Sequence, residues 1–238
     1  FRAELNKKNG DIIMVNINAH LIRNIDGEPI EVEGTINDIT EQYRLEKELK
    51  DDKQFVFIQE PVDIWLQNTD KNGENIIIKF YNNQEKYAFA FQIMSYTNKL
   101  HLIHQTIKEN PGKIIISERS LYTDKYVFAQ MLYDDQKMES VEYQIYNNWF
   151  HSFSDLAPLH KVISLKTDPN VSFQRIKERN RTGESSIPYD YIQNCHIYHE
   201  KMYDLITCSK KIIDCTSDFK ENIDYFEQIT KNILNFLE

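Results

Sequence analysis

The sequence has little of what marks membrane, secreted or nucleic-acid-binding proteins. Its 238 residues include three cysteines, an odd number that suits a reducing compartment better than a disulfide framework. No apolar run approaches the roughly 18 residues that a membrane helix needs. Basic residues number 28 against 37 acidic ones, and the net charge of −9 argues against a broad nucleic-acid-binding surface. We therefore expect a soluble, cytoplasmic protein that binds neither membranes nor nucleic acids.

The sequence also lacks an initiator methionine. It begins at Phe1 without a signal-peptide pattern, so we interpret it as a fragment, a processed chain or a trimmed form. Apolar residues make up 41% of it, which is enough for a folded core. The length suits one domain with a smaller companion.

From residue 55 onward, short apolar runs alternate with helical patterns. The runs that we interpret as strands are Phe55–Ile58, Lys113–Ser117, Lys161–Leu165 and Lys211–Asp214. The helical stretches cover 84–109, 123–153, 169–181, 189–207 and 218–237. This alternation predicts an α/β domain over 55–238, in which one parallel sheet is covered by flanking helices. We expect its ligand site beyond the carboxyl ends of the strands.

Residues 1–50 have a different pattern. Two β-branched runs flank Asp26-Gly27, a dipeptide that favours a tight hairpin turn. Asp38 and Glu41 have the spacing of a capping box, which predicts a linker helix near 38–53. The sequence thus predicts a short antiparallel β segment and linker helix within 1–50, followed by a separate domain.

Charged side chains follow three of the predicted strands. Glu60 comes after the first strand, and Glu118 and Arg119 come after the second. The third leads into three arginines: Arg175, Arg179 and Arg181. An arginine cluster separated from a carboxylate base suits polyphosphate, because planar guanidinium groups bind phosphoryl oxygens and offset the charge that develops in transfer. Taken alone, the arginines favour the simpler interpretation of surface ion pairs with Glu178 and Glu184.

An ordered set of motifs resembles the deoxyribonucleoside kinase family, in particular its deoxycytidine, deoxyguanosine and deoxyadenosine kinase branch. The matching pieces are Glu60-Pro61-Val62 with Trp65, Tyr81, residues 89–92 (FAFQ), residues 118–126 (ERSLYTDKY), the three arginines, Glu184, Ile187-Pro188 and Tyr191. Their order and spacing are kept over residues 55–238. The resemblance implies a P-loop-kinase-like fold and the ATP-dependent phosphorylation of a deoxynucleoside 5′-hydroxyl in nucleotide salvage.

This resemblance implies roles for the residues at the phosphate end of the site. Glu60 takes the proton from the sugar 5′-hydroxyl, and Arg119 steadies both Glu60 and the transferring group. Glu118 helps to hold Mg²⁺, mainly through water. A lid over the phosphates of ATP is formed by Arg175, Arg179 and Arg181. ATP and Mg²⁺ are therefore the implied cofactors.

The resemblance also implies a deoxynucleoside pocket. Tyr81 and Glu184 bind the 3′-hydroxyl, and Gln92 reads the base edge through paired hydrogen bonds. Phe91 and Trp65 wall the base pocket, although core packing is an equal alternative for Trp65. Asp124, which can pair with Lys99, indicates deoxycytidine or a purine deoxynucleoside rather than thymidine. Lys99 stands where this branch usually has arginine, so the base preference stays open. A homodimer is a possible assembly.

The sequence lacks one element with which this family begins. That element is a strand followed by the phosphate loop G-x-x-x-x-G-K-[ST], which cradles phosphates with backbone N–H groups and its lysine. None of the six glycines fits it. Only Gly112 is followed by a lysine, and there Ile107 stands in place of the first glycine and Ile114 in place of Ser/Thr. We predict a gap inside the sheet and little or no phosphoryl transfer. A fusion that lost the loop, a misread gene product and a fragment all remain explanations.

Residues 1–50 resemble instead the C-terminal half of a PAS sensor domain. Residues 33–41 (EGTINDITE) and the charged stretch 44–49 carry this resemblance, which includes the PAC motif. A plain β-hairpin extension is the alternative. A second interpretation of the whole chain is therefore a non-catalytic PAS-linked signalling module with a relic nucleoside site. A third, a nucleoside monophosphate kinase, is disfavoured by Glu60-Pro61-Val62 and Gln92.

Overall fold

A computed structural model describes residues 2–6, 12–23, 29–38, 54–179, 187–217 and 223–237. Side chains are described over 54–178, 187–217, 225 and 227–237. The strands in these ranges are β1 Arg2–Asn6, β2 Ile12–Arg23, β3 Pro29–Asp38, β4 Phe55–Ile58, β5 Ile114–Ser117, β6 Lys161–Lys166 and β7 Ser209–Asp214. The helices are α1 Val62–Leu66, α2 Ile76–Asn82, α3 Gln84–Glu109, α4 Leu121–Thr123, α5 Gln130–Asp134, α6 Ser140–Phe153, α7 Pro169–Arg179, α8 Tyr189–Leu205 and α9 Ile223–Leu237. A π-helical segment, Asp124–Ala129, joins α4 to α5.

The first three strands form an antiparallel sheet in the order β1-β2-β3. The pairing brings Asn6 opposite Ile12 and Arg23 opposite Pro29. The antiparallel segment is thereby confirmed, whereas the predicted turn at Asp26-Gly27 lies outside the described residues. Asp38, the predicted helix cap, is the last residue of β3, and this extended position neither supports nor contradicts the cap. The rest of the predicted linker helix, 39–53, lies outside the described residues.

The remaining strands form two parallel pairs. β4 pairs with β5 from Phe55 opposite Ile114 to Ile58 opposite Ser117. β6 pairs with β7 along their whole length. The α/β fold with parallel strands and flanking helices is thus confirmed.

The expectation of one shared sheet is wrong for the described residues, since no strand ladder joins the two pairs. An apolar run marks a strand, but only the ladder hydrogen bonds of a further strand between the pairs could merge them. The four apolar runs of residues 55–238 are already used within the two pairs.

Most predicted helices are observed within a few residues, and 84–109 matches α3 at both ends. The helix predicted over 123–153 is wrong, because it is interrupted between α5 and α6. Gln136 there has a φ of 59°, which a continuous α-helix does not allow. A new helix starts where the side chains of Glu139 and Glu142 accept each other's backbone N–H groups in a capping box.

The main core lies between α3, the π-helical segment and α6. Tyr96 of α3 and Tyr146 of α6 are fully buried, and their rings meet edge to face at 5.8 Å. Ile58 at the end of β4 and Leu121 of α4 belong to the same buried cluster. This packing fixes α3 and the π-helical segment against the ends of β4 and β5, where charged side chains emerge.

Candidate active site

The pairing of β4 with β5 sets the positions of the first two site residues. Ile58 lies opposite Ser117, and the N–H of Glu118 donates to the carbonyl of Ile58 at 3.1 Å. Glu60 and Arg119 each come two residues after this last pair. Consequently Arg119 Nη1 lies 3.4 Å from Glu60 Oε1. The parallel ladder therefore brings the backbones of these two residues to the same edge of the pair.

The backbone of Arg119 is held in an unusual conformation. Its φ is 61°, in the left-handed region that favours glycine, and such a residue costs about 1–3 kcal/mol. The guanidinium carbon lies 4.8 Å from the centre of the Phe128 ring, where the π face attracts the cation. This turn aims Arg119 at the end of β4 rather than along β5.

A second cation, the ammonium group of Lys99, is enclosed behind Glu60. Its side chain is 2% exposed, and Nζ lies 2.8 Å from Asp124 Oδ1 and 3.5 Å from Glu60 Oε1. Two carboxylates are thus matched by Lys99 and Arg119, so the formal charge of this group of four is zero. The predicted pairing of Lys99 with Asp124 is observed, but its contact with Glu60 was not foreseen. No local sequence signal marks a contact between residues 39 positions apart.

Asp124 begins the π-helical segment and is completely buried. Burial raises the pKa of its carboxyl group, and the cation of Lys99 opposes that rise. Within the described structure, Asp124 Oδ2 has no hydrogen-bond partner. A wide turn of this kind is common at functional sites. The second oxygen is therefore a buried acceptor whose hydrogen-bonding capacity the described residues leave unused.

Gln92 and three aromatic residues lie toward the N-terminal half of α3. Gln92 is buried and shares one face of α3 with Lys99, two helical turns away. Phe91 stacks on Phe80 at 4.6 Å and meets Trp65 edge to face at 5.7 Å. Trp65 is buried with an indole N–H that no described residue accepts. These contacts give Phe91 and Trp65 a shared aromatic wall, as either the pocket or the core interpretation of Trp65 requires.

Tyr81 is exposed at the end of α2, where its ring is tilted against Phe80. It lies close enough to Tyr191 of α8 to interact with it electrostatically, as does Arg119. Burial is the main cause that raises the pKa of Tyr191 far above its usual range. Tyr191 is a neighbour of the site to which the sequence assigned no role, although it stood in the family motif.

The predicted lid is described only in part. Arg175 donates to the carbonyl oxygens of Cys215 at 2.8 Å, Thr216 at 3.2 Å and Ser217 at 3.1 Å. Its guanidinium therefore holds the loop after β7. Arg179 ends α7, but its side chain lies outside the described residues, as do Arg181 and Glu184 entirely.

Glu118 is exposed just beyond β5. Among the described residues, no cluster of three carboxylate, imidazole or thiol groups is placed to hold a metal.

Comparison with known proteins places this geometry in a family. The model of the family described as "Deoxynucleoside kinase" matches residues 30–238, which is most of the chain. This chain therefore belongs to the deoxynucleoside kinase family.

Curated relatives agree with this assignment. A fowlpox virus protein named "Probable deoxycytidine kinase" is 31% identical over 153 residues, covering 63% of this chain and 62% of the viral protein. Human deoxycytidine kinase is 27% identical over 190 residues, covering 72% of each chain. Deoxycytidine kinase 1 of Xenopus laevis is 26% identical over the same length. The chain thus spans less than two thirds of the viral relative. Among its described helices, none has the length and apolar character to span a membrane.

We expect the Lys99–Asp124 pair to behave as a coupled unit in stability. Lys99→Met should lower the free energy of unfolding by about 3 kcal/mol, because it leaves a buried carboxylate without its cation. Adding Asp124→Leu should recover most of that loss. Urea unfolding followed by circular dichroism measures each value.

Lys125→Met serves as the matched control for this cycle. Lys125 is also buried, but its Nζ lies over the Phe150 ring at 4.3 Å and beside His151, and no described carboxylate pairs with it. Its loss should cost clearly less than that of Lys99. A Lys99→Met protein as stable as the wild type would contradict the pairing.

Proposed function

We propose that the chain binds a deoxynucleoside beside α3 and belongs to an enzyme that phosphorylates its 5′-hydroxyl with ATP and Mg²⁺. The observation that carries the proposal is the connected set of Glu60, Arg119, Lys99 and Asp124. One end of the set is a carboxylate at a strand end, which suits a general base. The other end is a buried carboxylate with an unused oxygen, which suits base recognition.

The proposed substrate is deoxycytidine or a purine deoxynucleoside. Asp124 Oδ2 accepts a hydrogen bond, and the amide of Gln92 can donate and accept at once. An exocyclic amino group on the base matches an acceptor of this kind. The similarity to human deoxycytidine kinase and to the fowlpox virus protein named "Probable deoxycytidine kinase" also supports the proposal. Tyr81 and Glu184 are assigned to the 3′-hydroxyl by family resemblance.

At the phosphate end, we assign Glu118 to Mg²⁺ through water, and Arg175, Arg179 and Arg181 to ATP. The contacts of Arg175 with backbone carbonyls support a role in holding α7 against the loop after β7. Arg179 lies one turn after Arg175 on the same helix. Mg²⁺ would neutralise phosphate charge during transfer. Arg119 would stabilise the transferring group while it holds Glu60.

The N-terminal segment is proposed to be the end of a PAS sensor domain. The antiparallel order β1-β2-β3 is compatible with that proposal and with a simple β extension. Deletion of residues 1–50 tests whether the segment affects deoxynucleoside binding. A cytoplasmic location is likewise proposed, and it is supported by three cysteines that are all unpaired thiols.

A homodimer is proposed through the outward face of α6. Val141, Ile145, Trp149 and Phe153 recur every fourth residue along it and are 38–56% exposed. The helix carries only one acidic residue, Glu142, and one histidine, His151, and it has no lysine or arginine, although the chain has a net charge of −9. Two copies related by a twofold axis would place Val141 against Phe153 and Ile145 against Trp149. Contact through this uncharged stripe would minimise the electrostatic repulsion between two acidic chains.

The base-recognition role of Gln92 predicts a loss of affinity. Gln92→Leu should weaken deoxynucleoside binding by about 1–3 kcal/mol, because polar groups of the base would be buried unpaired. Isothermal titration calorimetry measures the change. Gln105→Leu is the matched control, since Gln105 lies exposed on the same helix and bonds only Glu109 among the described residues. Equal affinity of the two variants would reject the role of Gln92.

These 238 residues alone are predicted to transfer phosphate slowly. The phosphate-loop motif does not occur in them, and loss of even one preorganised donor costs about 10²–10³ in rate. A radiolabelled ATP assay with deoxycytidine, deoxyadenosine, deoxyguanosine and thymidine checks this. We expect deoxynucleoside binding with turnover far below about one per second. Faster turnover that Glu60→Gln abolishes would overturn the slow-transfer prediction and support the enzyme assignment.

The dimer proposal predicts that Trp149→Glu gives monomers. The substitution adds one negative charge to each copy at the centre of the stripe, and burying these two charges opposes association. Sedimentation velocity measures the assembly. Leu205→Glu is the control, because Leu205 is an exposed apolar residue on α8, away from the stripe. A wild-type protein that is monomeric at all concentrations would contradict the proposal.

A further inference from the structure

The two oxygens of the Glu60 carboxylate have different surroundings. Arg119 Nη1 and Lys99 Nζ both contact Oε1, at 3.4 and 3.5 Å. Among the described residues, none forms a hydrogen bond with Oε2. The carboxylate is therefore held by one oxygen, which leaves the other to accept a proton.

We propose that Lys99 is a positioning residue for Glu60, which fixes Oε1 so that Oε2 faces the substrate hydroxyl. The inference rests on the proposed function and deepens it, because it gives Lys99 a role at the reacting end of the site as well as at the base. The charged groups around Glu60 that take part are Lys99 on α3, Arg119 beyond β5 and Asp124 in the π-helical segment.

Lys99 is better suited than Arg119 to fix the carboxylate. The Arg119 side chain is 43% exposed, so water competes for its hydrogen bonds and screens its charge. Lys99 is enclosed, and its ammonium group is anchored by Asp124 at 2.8 Å. A point charge with three donors can bond two carboxylates at once. Because Asp124 fixes Nζ, the contact at 3.5 Å restricts where Glu60 Oε1 can lie.

This arrangement predicts that Lys99 determines how much the 5′-hydroxyl contributes to the binding affinity of a deoxynucleoside. The experiment compares the binding of deoxycytidine with that of 2′,5′-dideoxycytidine, which lacks only that hydroxyl, by calorimetry without ATP. Deoxyadenosine and its 5′-deoxy analogue are used in the same way if the purine binds more tightly. The readout is the ratio of the two affinities, so it needs no turnover.

We expect the wild type to prefer the 5′-hydroxyl ligand by about tenfold, as for a hydrogen bond to a charged group. Lys99→Gln should reduce the preference to less than about threefold, and Glu60→Gln should do the same. Lys99→Arg keeps a cation between the two carboxylates and should restore most of it. Lys125→Met removes a neighbouring buried lysine and should leave the ratio unchanged. If Lys99→Gln does not fold, Lys99→Gln with Asp124→Asn replaces it as an uncharged pair, with the same expected loss.

The outcomes separate this inference from the proposed function. A wild-type preference that persists in the folded Lys99 variants would overturn the positioning role and leave the proposed function intact. A wild type that binds both ligands equally would also overturn it, since Oε2 would then not meet the hydroxyl. A wild type that binds no deoxynucleoside would reject the proposed function and the inference together.

Discussion

The ammonium group of Lys99 is buried between the carboxylates of Asp124 and Glu60, and the rest of the site depends on this buried cation. A lone buried cation is costly, and it is tolerated here because two carboxylates face it. Asp124 in turn is buried, and no residue in the described part of the chain bonds its second oxygen. The helix α3, the π-helical segment and the end of β4 are therefore tied together by charge as well as by the aromatic core beneath them.

The sequence was most informative where a local pattern decides the structure. Phe55–Ile58 was correctly predicted as a strand because a short apolar run between polar segments is typical of a buried strand. Helix α3 was predicted at both ends from its helical pattern over 84–109, and the structure shows Asn83 capping its start. The proximity of Glu60 and Arg119 followed from the rule that parallel strands end at one edge of a sheet.

The sequence was least informative where structure depends on distant contacts. The sequence analysis predicted one sheet with a gap inside it, whereas the described strands form two separate parallel pairs, because ladder hydrogen bonds join only β4 with β5 and β6 with β7. The break before α6 had a signal, the Glu139 and Glu142 capping box, that the apolar pattern across it concealed. The contact of Lys99 with Glu60 depends on the packing of α3 against β4, so only the fold reveals it. Tyr191 is likewise within electrostatic reach of Arg119 only because of the tertiary structure.

The two parallel pairs have a consequence for how this chain must be handled. Among the described residues, each of β4, β5, β6 and β7 has hydrogen-bonding groups satisfied by a strand on one side only. Such edges are templates for pairing with other chains, and Phe57 and Leu165 on them are exposed apolar residues. Association through these edges increases with protein concentration. It is opposed by the repulsion between chains of net charge −9, which salt screens. Dilute, low-salt solution is the condition in which that balance favours dispersed protein.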